Sequence, residues 1–402
     1  MTSDPDHPRR RPFFGLGLPL LVTLTLVITL TPYSVDAFLP ALPAAQEALG
    51  TGTSTMQLTL SLFLLGVAFG QLVFGPMSDR LGRRVPLIVG TAICAVAAGV
   101  CALAPTIEVL LAARFAQGVA GAAGMVVSKA IIRDRTGGAV TVRVLSLTTV
   151  GSGALNIAAP VLGGVLLQAL GWRAPLWFIA GAAILTLLII IVVVPETHSL
   201  ALRDDPTRWL GIASVVRHLG NRPFLRFVLI QAGSYGTLIA YVAASPFVYQ
   251  NVLGFSGAEF GVLFAINAAC AVLMNLVANQ FLRGLGSRRL VAMGLIGSLA
   301  GTAATLVAAS VGAPASTIAI CITASMATIG LNGPNLVGLA LDQVARSVGA
   351  AAATIGFVQF CAGALISPIV GVGGAHTLVP MAIVMATLAA ASLIVLASVS
   401  RR

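Results

Sequence analysis

Runs of about 20 or more mostly apolar residues follow one another twelve times along the chain, at approximately 14–38, 54–76, 86–104, 107–129, 143–168, 174–194, 224–249, 258–281, 288–309, 314–338, 348–370 and 377–398. No other feature constrains the fold as much. About 20 apolar residues is the length at which an α-helix crosses the hydrocarbon core of a bilayer. A segment in lipid must satisfy its own backbone hydrogen bonds, which a helix does. The expectation is an all-α integral membrane protein. With 58% hydrophobic and only 9% charged residues, against about 25% charged in soluble domains, the chain cannot coat a water-facing surface.

The net charge of +11 would raise the question of nucleic acid in a soluble protein. Here the positions of the charges answer it. Arg9, Arg10 and Arg11 precede the first run, and Arg80, Arg83 and Arg84 lie between runs two and three. Lys129, Arg133, Arg135 and Arg143 lie between four and five, and Arg203, Arg208, Arg217, Arg222 and Arg226 between six and seven. Arg283, Arg288 and Arg289 follow run eight, Arg346 follows run ten, and Arg401 and Arg402 end the sequence. The alternate connections hold only Arg173. The positive-inside rule then puts both termini in the cytoplasm. The charge is spread over loops and forms no recognition element, so no nucleic-acid partner is expected. Cys94, Cys101, Cys270, Cys321 and Cys361 all fall inside apolar runs with no C-x-x-C spacing, and the four histidines have no ligand spacing. Neither a metal site nor an enzyme's nucleophile–base set is expected.

The longest polar break, residues 195–223, divides the runs six and six. The expected organisation is a cytoplasmic tail at 1–13, a six-helix bundle at 14–194, a linker at 195–223 with a helical piece along the membrane surface, a second bundle at 224–398, and a tail at 399–402. The halves echo each other at an offset of 204 positions, which sets Gly82 over Gly286, Arg84 over Arg288 and Gly50 over Gly254. Internal duplication of this kind is what transporters built from repeated halves show. The copies differ in chemistry, because Asp79 meets Arg283 and Gly75 meets Asn279.

Three stretches carry mechanism. In "GPMSDRLGRR" an acid sits among arginines in a short connection, where it can pair with them or cap a neighbouring helix. The expected conformational latch is Gly75, Asp79, Arg80, Gly82, Arg83 and Arg84, joined by Asp134 at the end of run four. In "RFAQGVAGAAGMVVSKAIIRDR", Arg114 lies inside a span, where an unpartnered guanidinium costs at least ~2.5–3.5 kcal/mol. Gly118, Gly121 and Gly124 give the spacing that lets helices pack closely. In "GSGALNIAAPVLGGVLLQALGW", Gly153, Pro160, Gly163 and Gly164 predict a bent helix with a flat face.

Together these stretches resemble the major facilitator superfamily, specifically its twelve-span drug:proton antiporters. Gly75 through Arg84 match that family's signature loop, and "LLAARFAQG" matches its helix-four arginine motif. The helix-five antiporter motif is present with Ala159 where the family has glycine. "DAFLPALP" and "AIIRDRTGGAVTVRVLS" are similar to the Bcr/CflA subgroup of bacterial drug exporters. The resemblance implies a major facilitator fold of two six-helix halves in the bacterial cytoplasmic membrane. It implies a monomer that exports small amphipathic drugs, of bicyclomycin or phenicol type, in exchange for protons, without a cofactor. A same-fold exporter or proton symporter for one endogenous metabolite is the alternative.

Of the twelve acids, eleven fall in tails, loops or at helix ends, and Asp36 alone lies within an apolar span. Asp36 and Arg114 belong to the same outer half of the membrane. Desolvation favours the neutral carboxyl, and a nearby guanidinium favours the charged one. The pair is therefore the expected proton-coupling device, and Ile28, where some exporters of this type carry a second acid, leaves one titratable group. In this fold the polar and aromatic positions that would line the substrate cavity are Tyr33, Asn156, Gln231, Tyr235, Tyr241, Asn267, Asn332 and Gln359. Asn332-Gly333-Pro334-Asn335 predicts a break in helix ten.

Overall fold

The computed structural model describes residues 16–198, 218–344 and 348–399. Among these residues there are helices and turns and no strand, and twelve helical stretches are long and apolar enough to cross a membrane. The first half contains α1 (Leu18–Asp36), α2 (Leu42–Ala48), α3 (Thr53–Leu81), α4 (Arg84–Leu103), α5 (Ile107–Arg135), α6 (Gly138–Leu170) and α7 (Ala174–Val193). The second contains α8 (Arg222–Phe247), α9 (Gly257–Phe281), α10 (Ser287–Ser310), α11 (Ala315–Ile329), α12 (Gly333–Leu341), α13 (Val348–Ile366) and α14 (Val379–Ser398). The expected surface helix in the linker falls largely on residues outside those described.

Two spans are broken, each for a local reason. The run read as continuous over 14–38 stops being helical at Asp36 and passes through a tight turn at Leu39–Ala41 into α2. Pro40 and Pro43 bring no N–H to a helical ladder and disfavour helix at the residue before them. Span ten breaks between α11 and α12 at the expected Asn-Gly-Pro, with Pro334 in the first turn of α12.

The duplication reaches the backbone. Gly50 and Gly254 have φ of 59° and 76°, and Gly82 and Gly286 have 89° and 76°. Each pair shares a positive φ, which a side chain would strain. Arg84 Nη2 donates to the Ile191 carbonyl at the end of α7 (2.7 Å), and Arg288 Nη2 to the Leu396 and Val399 carbonyls at the end of α14 (3.0 and 2.5 Å). In both halves one arginine closes the carbonyl end of the last helix, where a cation meets the negative end of the helix dipole.

The halves meet through α3 against α13 and α6 against α9. The seam is tied at the end away from the chain termini. Gln57 Nε2 donates to the Ala243 carbonyl (3.1 Å), Ser367 Oγ to the Gln57 carbonyl (3.0 Å), Gln250 Nε2 to the Pro40 carbonyl (3.0 Å), and Ser61 Oγ to the Ala364 carbonyl. At the same end α6 and α9 cross on glycine: a Cβ on Gly164 would lie 2.5 Å from the Gly257 carbonyl oxygen.

Candidate functional site

Arg114 is 2% exposed and does not reach the surface. Its Nη1 donates to the Ser34 carbonyl (3.1 Å) and to Gln117 Oε1 (2.9 Å). Phe63 and Phe38 cover it at 4.5 and 5.5 Å from their ring centroids. Gly118 permits this, because α3 crosses α5 there with the Phe63 carbonyl carbon 2.9 Å from where a Cβ would stand. The choice of Ser34 follows from the end of α1. The last carbonyls of a helix lack intrahelical partners, and a guanidinium suits that negative end. Asp36 is half-buried two residues further on. Among the described residues the ion pairs belong to Arg83, so in this conformation the guanidinium holds the backbone before Asp36 and not its carboxylate.

The signature loop is built around Arg83. Its Nη1 contacts Asp79 Oδ1 (2.6 Å) and Ser78 Oγ (2.9 Å), and its Nε donates to Asp134 Oδ2 (2.9 Å). Burial opposes the charge on Arg83, but the bonds to Asp134 and Asp79 outweigh it and hold the guanidinium above its ordinary pKa. Gly82 supplies the turn, whereas Gly75 has only Val126 at ordinary distance from a would-be Cβ. A partner the sequence reasoning missed is Glu196, just past α7. Its carboxylate accepts from the backbone N–H of Arg83 (2.9 Å), Arg84 (3.3 Å), Thr197 (2.9 Å) and His198 (2.9 Å). Burial raises its pKa, and these four N–H groups more than offset that, leaving it below the usual carboxylate range. The first N–H groups of α4 are thus capped by the linker.

In α6, Gly163 and Gly164 lie at close crossings, with the Ala37 backbone and with Gly257 and Ala258 respectively. Pro160 offers its backbone to Gly261 of α9. Gly153 has nothing within 4 Å of a would-be Cβ. Close approaches occur at both ends of the motif, at Gly151 against Thr25 of α1 and at Pro160–Gly164, and Gly153 between them takes no part.

A cavity of about 260 Å³ lies in the second half between α8, α9 and the broken span of α11 and α12. Of the eight expected lining residues it takes Gln231, Tyr235, Tyr241 and Asn267. Gln359 reaches it indirectly, accepting from Gln231 Nε2 at 3.1 Å. Asn332 is 1% exposed and not in the lining, but its Nδ2 donates to the lining Ser234 Oγ (3.0 Å) and its Oδ1 lies toward Gly294. Tyr33 packs on Phe178 of α7 at 6.2 Å, and Asn156 has a buried Oδ1 with no partner; neither lines this cavity. Asn267 is tied to the Tyr241 hydroxyl (2.6 Å), the Tyr249 hydroxyl (3.3 Å) and Thr323 Oγ1 (2.5 Å).

Residues 24–368 match the sequence profile described as Major Facilitator Superfamily. A Bacillus subtilis (strain 168) protein named as an uncharacterized MFS-type transporter, YdgK, is 31% identical over 92% of each chain. A Haemophilus influenzae protein named as a bicyclomycin resistance protein homolog is 29% identical, covering 68% of this chain and 69% of that one. The solved structure of a D-xylose-proton symporter superposes with a TM-score of 0.75 at 15% identity, over 94% of this chain and 96% of that one.

Proposed function

Because the chain belongs to the Major Facilitator Superfamily, and so is a multi-pass membrane transporter, we propose that it exports small amphipathic compounds in exchange for protons. The observation that carries this is the position of Asp36. It is an acid within an apolar span, it is half-buried with no ion pair among the described residues, and it follows the Ser34 carbonyl that Arg114 holds. A carboxyl so placed exchanges its proton with whichever side water reaches, while substrate occupies the neighbouring space. The bicyclomycin resistance homolog supports drug-like substrates.

In this reading Arg114 keeps a fixed positive charge beside the Asp36 backbone without neutralising the carboxylate. The Arg83 cluster latches the connection between α3 and α4 on the cytoplasmic side. The glycine seam between α6 and α9 is the closed outer gate. No cofactor takes part, the proton gradient supplies the work, and one polypeptide is the functional unit.

The test uses inverted membrane vesicles energised to hold an internal acid pH, with a fluorescent ΔpH reporter. Added drug should dissipate the gradient through the wild type and not through Asp36→Asn. The amide variant should fold, since an amide is cheaper to bury than a carboxylate. Asp36→Asn protein that still concentrates drug against a gradient overturns the proposal.

A further inference from the structure

The cavity in the second half contains two polar demands that the protein itself leaves open. The first is Gln231. It is 6% exposed, its amide Nε2 is spent on Gln359, and its Oε1 is buried with no partner. A buried acceptor left unpaired is costly, so this oxygen calls for an N–H or O–H from an occupant. The second is the start of α12. Gly333 and Pro334 of its first turn line the cavity. The N-cap Asn332 gives no side-chain cap: its Nδ2 donates to Ser234 and its Oδ1 has no partner. Broken-helix N-termini of this kind carry a partial positive charge toward the substrate space of transporters, which suits an acceptor oxygen.

The remaining walls set the body and the charge of the occupant. Leu238, Phe264 and Met326 are apolar, and Asn267 and Tyr241 satisfy each other. No acid lines the cavity, so a cation entering it would lose water without gaining a counter-ion from the lining, which is unfavourable. A volume of about 260 Å³ lies just below the roughly 300–1,000 Å³ of ordinary ligand sites. That admits one ring and a short polar group.

Resting on the efflux reading above, we propose that this cavity is a substrate subsite for a neutral ring bearing a carboxamide, its N–H on Gln231 Oε1 and its carbonyl oxygen at the N-terminus of α12. Cations are poor occupants of this subsite, whatever the rest of the transport path accepts.

The probes are benzamide, N,N-dimethylbenzamide and benzyltrimethylammonium, titrated by saturation-transfer NMR against the purified full chain in lipid nanodiscs. Benzamide should bind at least tenfold more tightly than either of the others. Gln231→Met should bring benzamide down to the level of dimethylbenzamide and leave dimethylbenzamide unchanged. Ala268→Phe, which fills the cavity, should abolish benzamide binding. The comparison of the two amides on wild type stands even if a variant misfolds. Equal binding of the two amides, equal or tighter binding of the cation, or no benzamide binding overturns the subsite. None of these readouts uses a proton gradient. Benzamide binding without proton-driven export would count against the efflux reading alone, and export of cations without benzamide binding against the subsite alone.

Discussion

Gly164→Ala tests whether the α6–α9 seam sets the conformational balance. The new methyl carbon would lie 2.5 Å from the Gly257 carbonyl oxygen and 2.8 Å from Ala258 Cα. Ordinary contact begins near 3.4 Å, so the two backbones would have to part by roughly 1 Å. Neither neighbour is a flexible side-chain tip that could swing aside. Overpacking of this kind costs about 1–3 kcal/mol. The methyl is crowded only while the halves touch here, so the whole penalty falls on this state and not on one in which the seam has opened. A free-energy difference of about 1–3 kcal/mol moves a two-state ratio by about 5- to 150-fold. The assay is pulsed electron–electron spin resonance between nitroxides at Leu170 and Val372, which are 75% and 79% exposed at the seam end of the two halves. The wild type should show mainly the short distance, and Gly164→Ala a population shifted toward the longer one. Gly153→Ala serves as control, since nothing lies within 4 Å of its Cβ. A Gly164→Ala distance distribution identical to wild type would refute the reasoning.

Asp79→Asn removes one of the two carboxylates on Arg83 and leaves Asp134. With Asp79 33% exposed, the lost pair is worth about 1 kcal/mol after solvent screening. Transport in proteoliposomes should slow about fivefold or more, with substrate binding within a few fold of wild type. For Glu196, the lowered pKa means that its contribution is fully present above the usual carboxylate value and is lost as pH falls through the lower folded value. Glu196→Gln should therefore be less stable than wild type at neutral pH by about 0.5–1 kcal/mol, as for other exposed helix caps. The two melting curves should converge as the pH is taken from about 5.5 to about 3.5. A difference that stays constant over that range would show that the carboxylate charge is not what caps α4.

Much of the architecture was legible because lipid narrows the possibilities. Runs of a given length had to be helices, and the repeat of Gly50, Gly82 and Arg84 at Gly254, Gly286 and Arg288 is visible letter by letter. The partners of those letters were less so. Arg84 and Arg288 close carbonyls of helices more than a hundred residues away in sequence, and Arg114 is held by the Ser34 carbonyl. Every residue has a carbonyl, so nothing in the letters marks the one that will be used. Glu196 could have been suspected as an acid just past the end of a span, but its target is a set of N–H groups that only the fold brings near. Asn332 shows the reverse failure. A polar residue in an apolar span reads equally as cavity lining or as a helix tie, and the break beside it turned the side chain to Ser234. Gly153 looked like its neighbours in the helix-five motif, yet it stands where no helix crosses.

The two halves share a skeleton and divide the chemistry, and the division says where coupling has to occur. The first half contains Asp36, the buried Arg114 and the Arg83 cluster. The described cavity lies in the second half, lined by amides, tyrosines and apolar side chains with no acid. Under the proposed exchange, a proton on Asp36 and a substrate in that cavity could sense each other only across the seam. Tyr235 stands on the cavity side of that division, among the lining residues. Its ring is braced edge-on by Phe360 of α13 at 5.6 Å, the helix that packs against α3 of the first half. Any movement that parts the halves therefore changes the distance from Asp36 to Tyr235 together with the seam. Under the proposed exchange, Tyr235 is then a side chain through which protonation, occupancy and closure of the seam would be read against one another.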